Sequence, residues 1–283
     1  MSEVTSTLAP DEQPALTLAH LYPDQLNMYG DRGNIITLTR RCAWRGISLR
    51  VVALDLGEPL DPAAYDLLFV GGGQDKEQSE VARDLREVKG DGLRAAVEAD
   101  VPLLAVCGGY QLLAHYYRPA DGPDLLGAGI FDAWTVHSGK HLPRCTGNVA
   151  LAWGEAAPQE RGTLVGFENH GGRTYLGPTA RPLGRVLAGH GNNSEDGYEG
   201  AVYRNAYGTY LHGSLLPKNP HLADHLLRIA LARRHGAPAA ERLLAPLDDA
   251  AEWQAHESML ARLGAGTESR RTGSRRRTGA LAG

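Results

Sequence analysis

The sequence predicts an α/β protein with a mostly parallel central sheet, helices on both faces and additional antiparallel strands. Three observations carry that expectation. Short apolar runs alternate with helical patterns through the first half of the 283-residue chain. Two of the runs, YDLLFVGGG (65–73) and VPLLAVC (101–107), are almost continuously apolar, as strands buried on both faces of a parallel sheet are. From about residue 128 the texture changes to glycine-rich, strand-like pieces with frequent turn signals, the mark of antiparallel additions.

The elements follow in order. A polar leader, residues 1–14, is expected to be disordered, and ALTLAHL (15–21) reads as the first strand. NIITLTRRCAWRGI (34–47) has apolar residues at helical spacing, with Asn34 placed to cap the helix and Gly46 to end it. A strand over 49–55 comes next, then the run at 65–73. Residues 77–100 are helical, with a break expected at Gly90 to Gly92. The run at 101–107 is the next strand and GYQLLAHYY (109–117) the next helix. HLADHLLRIALARRHG (221–236) is a further helix, and 239–263 is expected to form the last. Residues 15–263 read as one domain without linker or repeat, and 264–283 as a disordered Arg-rich tail.

Composition narrows the function classes. A hydrophobic content of 42% supports a full core, and no apolar run approaches the ~18–20 residues that span a bilayer. The start lacks the basic and apolar stretches of a signal peptide, so an integral membrane protein is not expected and the cytoplasm is the expected location. The net charge of −4 is unevenly spread: five arginines against Glu268 give the tail +4, which leaves −8 on the rest. An acidic body argues against a nucleic-acid surface. Cys42, Cys107 and Cys145 form no CxxC pair, so neither a disulfide framework nor a metal site is expected.

Cys107 closes a buried strand pattern and precedes Gly108, Gly109 and a helical pattern. Ligands of open parallel sheets sit beyond the carboxyl ends of the strands. Two glycines suit the sharp turn of a nucleophile elbow, where backbone and substrate approach closely. A helix N-terminus also favours thiolate over thiol. The alternative is a buried structural cysteine. A thiolate nucleophile needs a base, and His212, at the end of the strand-like stretch in AYGTYLHGSLLPKNP, is the best placed. His170, in GFENHGG, is the runner-up, with no strand to aim it at Cys107. His115, His221, His225 and His235 fall within amphipathic helical patterns. Acyl chemistry also requires oxyanion donors, for which Gly108 and the loop glycines Gly72 and Gly73 are the candidates. Neither glycine-rich stretch is a Walker or GxGxxG pattern.

Six stretches carry a resemblance: HLYPDQLNMYGDRGNI, VGGGQDKEQ, AVCGGYQLL, VGFENHGGRTYLG, GHGNN and GTYLHGSLLPKNP. Together, in this order, they resemble the class I glutamine amidotransferases of the cobyric-acid-synthase-like branch, over roughly residues 15 to 262. Within that branch the chain is similar to glutaminase subunits of lipid II isoglutaminyl synthases. The resemblance implies a flavodoxin-like α/β fold, hydrolysis of L-glutamine to L-glutamate and ammonia, and a heterodimer with a Mur-ligase-like synthetase subunit. That partner would use the ammonia to amidate the D-glutamate of lipid II to D-isoglutamine, at the inner face of the membrane, in peptidoglycan synthesis. No cofactor is implied for this chain; ATP and Mg²⁺ are expected on the partner.

By the same resemblance Cys107 is the catalytic nucleophile, His212 the general base and Arg144, in PRCTGN, a substrate-binding residue for the glutamine α-carboxylate. For Arg144 the alternative is a solvated loop arginine; Cys42 and Cys145 are expected to be structural. Many class I amidotransferases carry a glutamate two residues after the base, where this chain has Ser214. Either Asp31, in YGDRGN, orients the histidine from within the chain, or the partner supplies a carboxylate; the partner is the favoured source. Asp31 could otherwise serve only as a helix-start residue. Two rival functions remain: amidation of another acceptor such as cobyrinic acid, and a non-catalytic scaffold subunit of the same fold.

Overall fold

The computed structural model describes residues 13–26, 31–73, 75–139, 142–154, 162–212 and 215–265, with only the backbone for 75–77. The expected leader and tail lie outside them, apart from residues 13, 14, 264 and 265, and so does Ser214. The first half comprises β1 (Ala15–Leu21), α1 (Arg32–Ala43), β2 (Ser48–Leu54), β3 (Leu67–Val70), α2 (Asp75–Glu87), α3 (Gly90–Glu98), β4 (Leu103–Val106) and α4 (Gly108–Leu113). Six strands come next: β5 (Tyr116–Arg118), β6 (Leu125–Leu126), β7 (Ala133–His137), β8 (Cys145–Trp153), β9 (Thr163–His170) and β10 (Gly172–Leu176). The remainder is β11 (Gly184–Ala188), β12 (Tyr198–Glu199), β13 (Ala201–Tyr203), β14 (Ala206–Thr209), a 3₁₀ turn (Leu216–Lys218), α5 (Pro220–His235), α6 (Ala237–Leu243) and α7 (Ala250–Arg262).

The central sheet has the order β13-β14-β4-β3-β1-β2. All its pairings are parallel except that of the edge strand β13 with β14. Every residue of β3 and β4 is buried, as their unbroken apolar sequences require. The edge strand β2 is largely exposed, which fits its charged and small residues. The crossover through α1 runs from β1 to β2, and the crossover through α2 and α3 runs the opposite way, from β3 to β4. Right-handed crossovers in opposite directions put their helices on opposite faces of the sheet. The order therefore reverses between β1 and β3, the kind of switch point beside which open parallel sheets bind their ligands. Asp31, the glycines 71–73, Cys107 and His212 follow β1, β3, β4 and β14, four neighbouring strands, so topology alone gathers them at one edge.

The second half adds two four-stranded sheets, β10-β7-β5-β6 and β12-β11-β8-β9. Their pairings are antiparallel as expected, apart from the parallel pair β5 with β7. No helix among the described residues is long and apolar enough to cross a membrane.

Four local expectations need correction. The break expected at Gly90 to Gly92 falls instead at residues 88–89, and both glycines lie in the first turn of α3. The helix expected over 109–117 stops at Leu113, because Ala114 is extended and Tyr117 pairs with Thr135 of β7. His115 therefore lies outside any helix. The last helix is two, α6 and α7, since Pro246 between them restrains the residue before it from helical geometry. Asn34 does not cap α1, which begins earlier at Asp31; its side chain is buried and accepts the Leu216 N–H at 2.9 Å.

Candidate active site

Cys107 sits between β4 and α4 with φ 48° and ψ −105°, a left-handed backbone that a side chain seldom adopts. Its N–H donates to Thr209 O at 2.8 Å and its carbonyl accepts the Gln111 N–H at 2.9 Å, so strand and helix hold the turn from both sides. The two following glycines are required by close approach. A methyl on Gly109 would lie 2.8 Å from Gly71 O, and one on Gly108 would lie 2.8 Å from Gly73 N. The resulting elbow presses the start of α4 against the glycine loop after β3.

His212 faces the thiol from the adjacent strand end. Its side chain is fully buried, its Nδ1 lies 3.3 Å from Asp31 Oδ1, and its ring stands beside the Cys107 side chain. Gly72 lies among these groups: a methyl there would be 2.9 Å from His212 Cε1 and 3.2 Å from Cys107 Cβ. Burial alone would lower the His212 pKa. The negative charge of Cys107, together with the hydrogen bonds and charge of Asp31, instead raises it to about 10. The imidazolium is the form that stabilises a neighbouring thiolate.

Asp31 occupies the position that the sequence left open. It stands at the N-cap of α1, yet its side chain caps nothing; Oδ1 faces His212 Nδ1 and Oδ2 accepts the Gly72 N–H at 2.8 Å. The carboxylate favoured from a partner subunit thus meets an Nδ1 already served from within the chain. The same geometry corrects one oxyanion candidate, because the Gly72 N–H is spent on Asp31. Gly73 and Gly108 keep their places beside each other at the elbow.

Arg144 is exposed, just before β8, and its guanidinium donates to the side-chain and backbone oxygens of Asn169, both at 3.1 Å. It stands at the rim, close enough to His170 to act on its charge. His170 ends β9, is buried, and stacks on Tyr210 with ring centroids 3.6 Å apart. Burial above all lowers its pKa to about 3, with Arg173, His212 and Arg144 adding to the effect, so it is a poor base. Its Nδ1–H donates to Gly172 O at 2.8 Å. Cys42 and Cys145 are free and buried; burial pushes the Cys42 thiol up to about 12 and raises that of Cys145.

A buried polar network near Cys107 escaped the sequence reading. Gln111 donates to Tyr210 Oη at 3.1 Å and accepts from Gln78 at 3.3 Å, and Tyr210 Oη also pairs with Thr174 Oγ1 at 2.7 Å. Gln111 lies one helical turn beyond Cys107, a spacing that could have marked it.

A nucleophile elbow, an imidazole-carboxylate pair and a glycine loop at the carboxyl ends of parallel strands define a thiol acyl-transfer site. The chain belongs to the CobB/CobQ-like glutamine amidotransferase domain family, whose model matches residues 17–220. It is 40% identical, over 90% of its length and 99% of the relative's, to the lipid II isoglutaminyl synthase (glutamine-hydrolyzing) subunit GatD of Staphylococcus aureus (strain N315). The subunit of the same name from Streptococcus pneumoniae (strain ATCC BAA-255 / R6) is 39% identical, over 81% of this chain and 87% of that one. The cobyric acid synthase of Pelotomaculum thermopropionicum (strain DSM 13744 / JCM 10971 / SI) is 35% identical over 68% of this chain but only 36% of its own length. Among solved structures, a glutamine amidotransferase superposes with a TM-score of 0.51 at 17% identity, covering 75% of this chain and 98% of that one. PurLQS from Thermotoga maritima gives 0.52 at 14%, covering 82% and 98%. These two likenesses concern the fold.

Proposed function

We propose that the chain is the glutaminase subunit of a lipid II isoglutaminyl synthase, with Cys107 as nucleophile, His212 as acid and base, and Asp31 as the group that orients His212. The observation that carries the residue roles is the placement of His212 beside Cys107 on one side and Asp31 on the other. The Cys107 thiolate attacks the side-chain amide carbon of glutamine, and the N–H groups of Gly73 and Gly108 receive the oxyanion. The His212 imidazolium gives its proton to the departing nitrogen, and ammonia leaves as the glutamyl thioester forms. Neutral His212 then takes a proton from water, which attacks the thioester and releases glutamate. Arg144 pairs with the substrate α-carboxylate.

The ammonia passes to a Mur-ligase-like synthetase subunit, which holds ATP and Mg²⁺ and amidates the D-glutamate of lipid II. The acceptor rests on the two relatives matched over nearly their whole length, whereas cobyric acid synthase is matched over 36% of its own. The test is to purify the chain with its native partner, identify that partner by mass spectrometry, and supply amide-¹⁵N glutamine with lipid II and ATP. Transfer of ¹⁵N to lipid II is expected. Glutamine hydrolysis with transfer to another acceptor alone would remove the lipid II assignment, and no hydrolysis by the assembled complex would favour the scaffold reading.

A further inference from the structure

His212 stands on a stretch that has left the regular ladder of β14, and buried Glu199 is what holds that stretch. The Glu199 carboxyl has no solvent exposure. Its Oε1 accepts both the Thr209 hydroxyl at 2.6 Å and the Tyr210 N–H at 2.8 Å. The same Thr209 hydroxyl accepts the Leu211 N–H at 3.1 Å. One carboxyl oxygen thus accounts, directly or through Thr209, for two consecutive buried N–H groups ahead of the base. The Thr209 carbonyl, in turn, accepts the Cys107 N–H at 2.8 Å. His212 itself exchanges backbone hydrogen bonds with Phe167 of β9, at 2.7 and 3.3 Å.

Glu199 is fixed by a piece of sequence that the reaction leaves unused, the asparagine of GHGNN. Asn192 grips Gly200 from both sides: its Oδ1 accepts the Gly200 N–H at 2.9 Å and its Nδ2 donates to Gly200 O at 3.0 Å. Gly200, with φ 68°, turns the chain from β12 in the third sheet to β13 in the central sheet; a methyl there would lie 2.4 Å from Gly208 O. The charged and titratable groups acting on Glu199 are Glu168 of β9 and, from α4, Tyr110. Burial, followed by Glu168, raises its pKa to about 7, against the hydrogen bonds it accepts.

We infer that Glu199 is a positioning residue: by clamping Thr209 and Tyr210 it sets the spacing between the elbow of Cys107 and the imidazole of His212. It acts through hydrogen-bond acceptance, so an amide oxygen can replace it. The inference rests on Cys107 and His212 being the catalytic pair. Glutamine turnover by the complex and alkylation of Cys107 by iodoacetamide in the full-length chain are measured for wild type, Glu199→Ala, Glu199→Gln, Thr209→Val and Cys107→Ser. Glu199→Ala is expected to lose on the order of tenfold to a hundredfold in kcat, with KM for glutamine changed by less than about twofold, because misplacement of reacting groups acts on the chemical step. Alkylation at pH 7 should slow in parallel. Glu199→Gln should return both to within about threefold of wild type, and Thr209→Val should lose kcat by a smaller factor. If Glu199→Ala does not fold, Thr209→Val and Glu199→Gln carry the comparison. Wild-type kcat and alkylation in Glu199→Ala or Thr209→Val, beside an inactive Cys107→Ser, would overturn the clamp alone. A Glu199→Gln variant that folds but is as slow as Glu199→Ala would overturn it too. Activity retained by Cys107→Ser would instead remove the catalytic pair on which the clamp rests.

Discussion

The two halves of the candidate site are held in place by different physics. Cys107 is set by its own backbone: a strand end, a left-handed turn and two glycines, all within four residues. His212 is set by side chains from afar, with Asp31 181 residues away in sequence and Glu199 on another sheet. The nucleophile is therefore a property of a local motif, and the base is a property of the assembled fold. The motif meets the rest of the molecule through backbone contacts at Thr209, Gly71 and Gly73, whereas the base depends on the side chains of Asp31 and Glu199.

The largest effect should come from breaking the local half. Cys107→Ser should reduce glutamine hydrolysis by on the order of 10⁴-fold or more with melting temperature unchanged, and adding His212→Ala should cost little further, since the pair acts as a unit. Steady-state kinetics on the complex checks both statements; additive losses would mean that the groups act separately. Next in size is the long-range half. Asp31→Asn keeps the shape near Gly72 but removes the charge facing Nδ1, and kcat should fall by about 10³–10⁴. If a partner supplied the orienting carboxylate instead, the variant complex would keep near-normal kcat while an Asp→Asn change in the partner would not.

A smaller loss is expected at the rim. Arg144→Ala should raise the glutamine KM about tenfold to a hundredfold, the worth of one charge-assisted hydrogen bond, with little effect on alkylation of Cys107. Unchanged saturation would leave Arg144 as the partner of Asn169 and nothing more.

The smallest effect is one of pH, at His20 of β1, which belongs to neither half. Burial, reinforced by Arg32, lowers the His20 pKa to about 4, below the ordinary 6.5. Its unfolded form takes up a proton at a higher pH than its folded form does. The associated stability is full above pH 6.5 and is lost as pH falls through about 4. His212 has the opposite sign: its folded pKa of about 10 gives stability that is present below 6.5 and lost as pH rises through about 10. Denaturant melts of His20→Gln should show a shallower acid loss between pH 6.5 and 4, by up to about 1.4 kcal/mol per pH unit. The alkaline limb should stay as in wild type.

What could be read in the sequence follows the same division. The parallel sheet, the thiol elbow and the glycine loop are encoded in contiguous runs, and the structure has them where the runs stand. His212 was readable because a strand-like stretch ends near it. Asp31 could be named only as the less favoured of two orienters, because an aspartate just before a helix has the ordinary look of a cap; the fold shows its carboxylate turned to Gly72 and His212. Glu199 carries no local signal at all. At 109–117 helical spacing continues through Tyr116 and Tyr117, but pairing with β6 and β7 wins those residues for a strand.

The central claim, a charged His212 held between Cys107 and Asp31, is open to direct observation. ¹⁵N-histidine NMR of the full-length chain, with His212 assigned by substitution, follows its ring nitrogens from pH 6 to 11. Wild type is predicted to titrate near 10, with both ring nitrogens protonated at pH 8, and removal of the thiol in Cys107→Ala to bring the titration down sharply. A wild-type His212 that titrates at or below 6.5, unmoved by Cys107→Ala, would contradict the pairing.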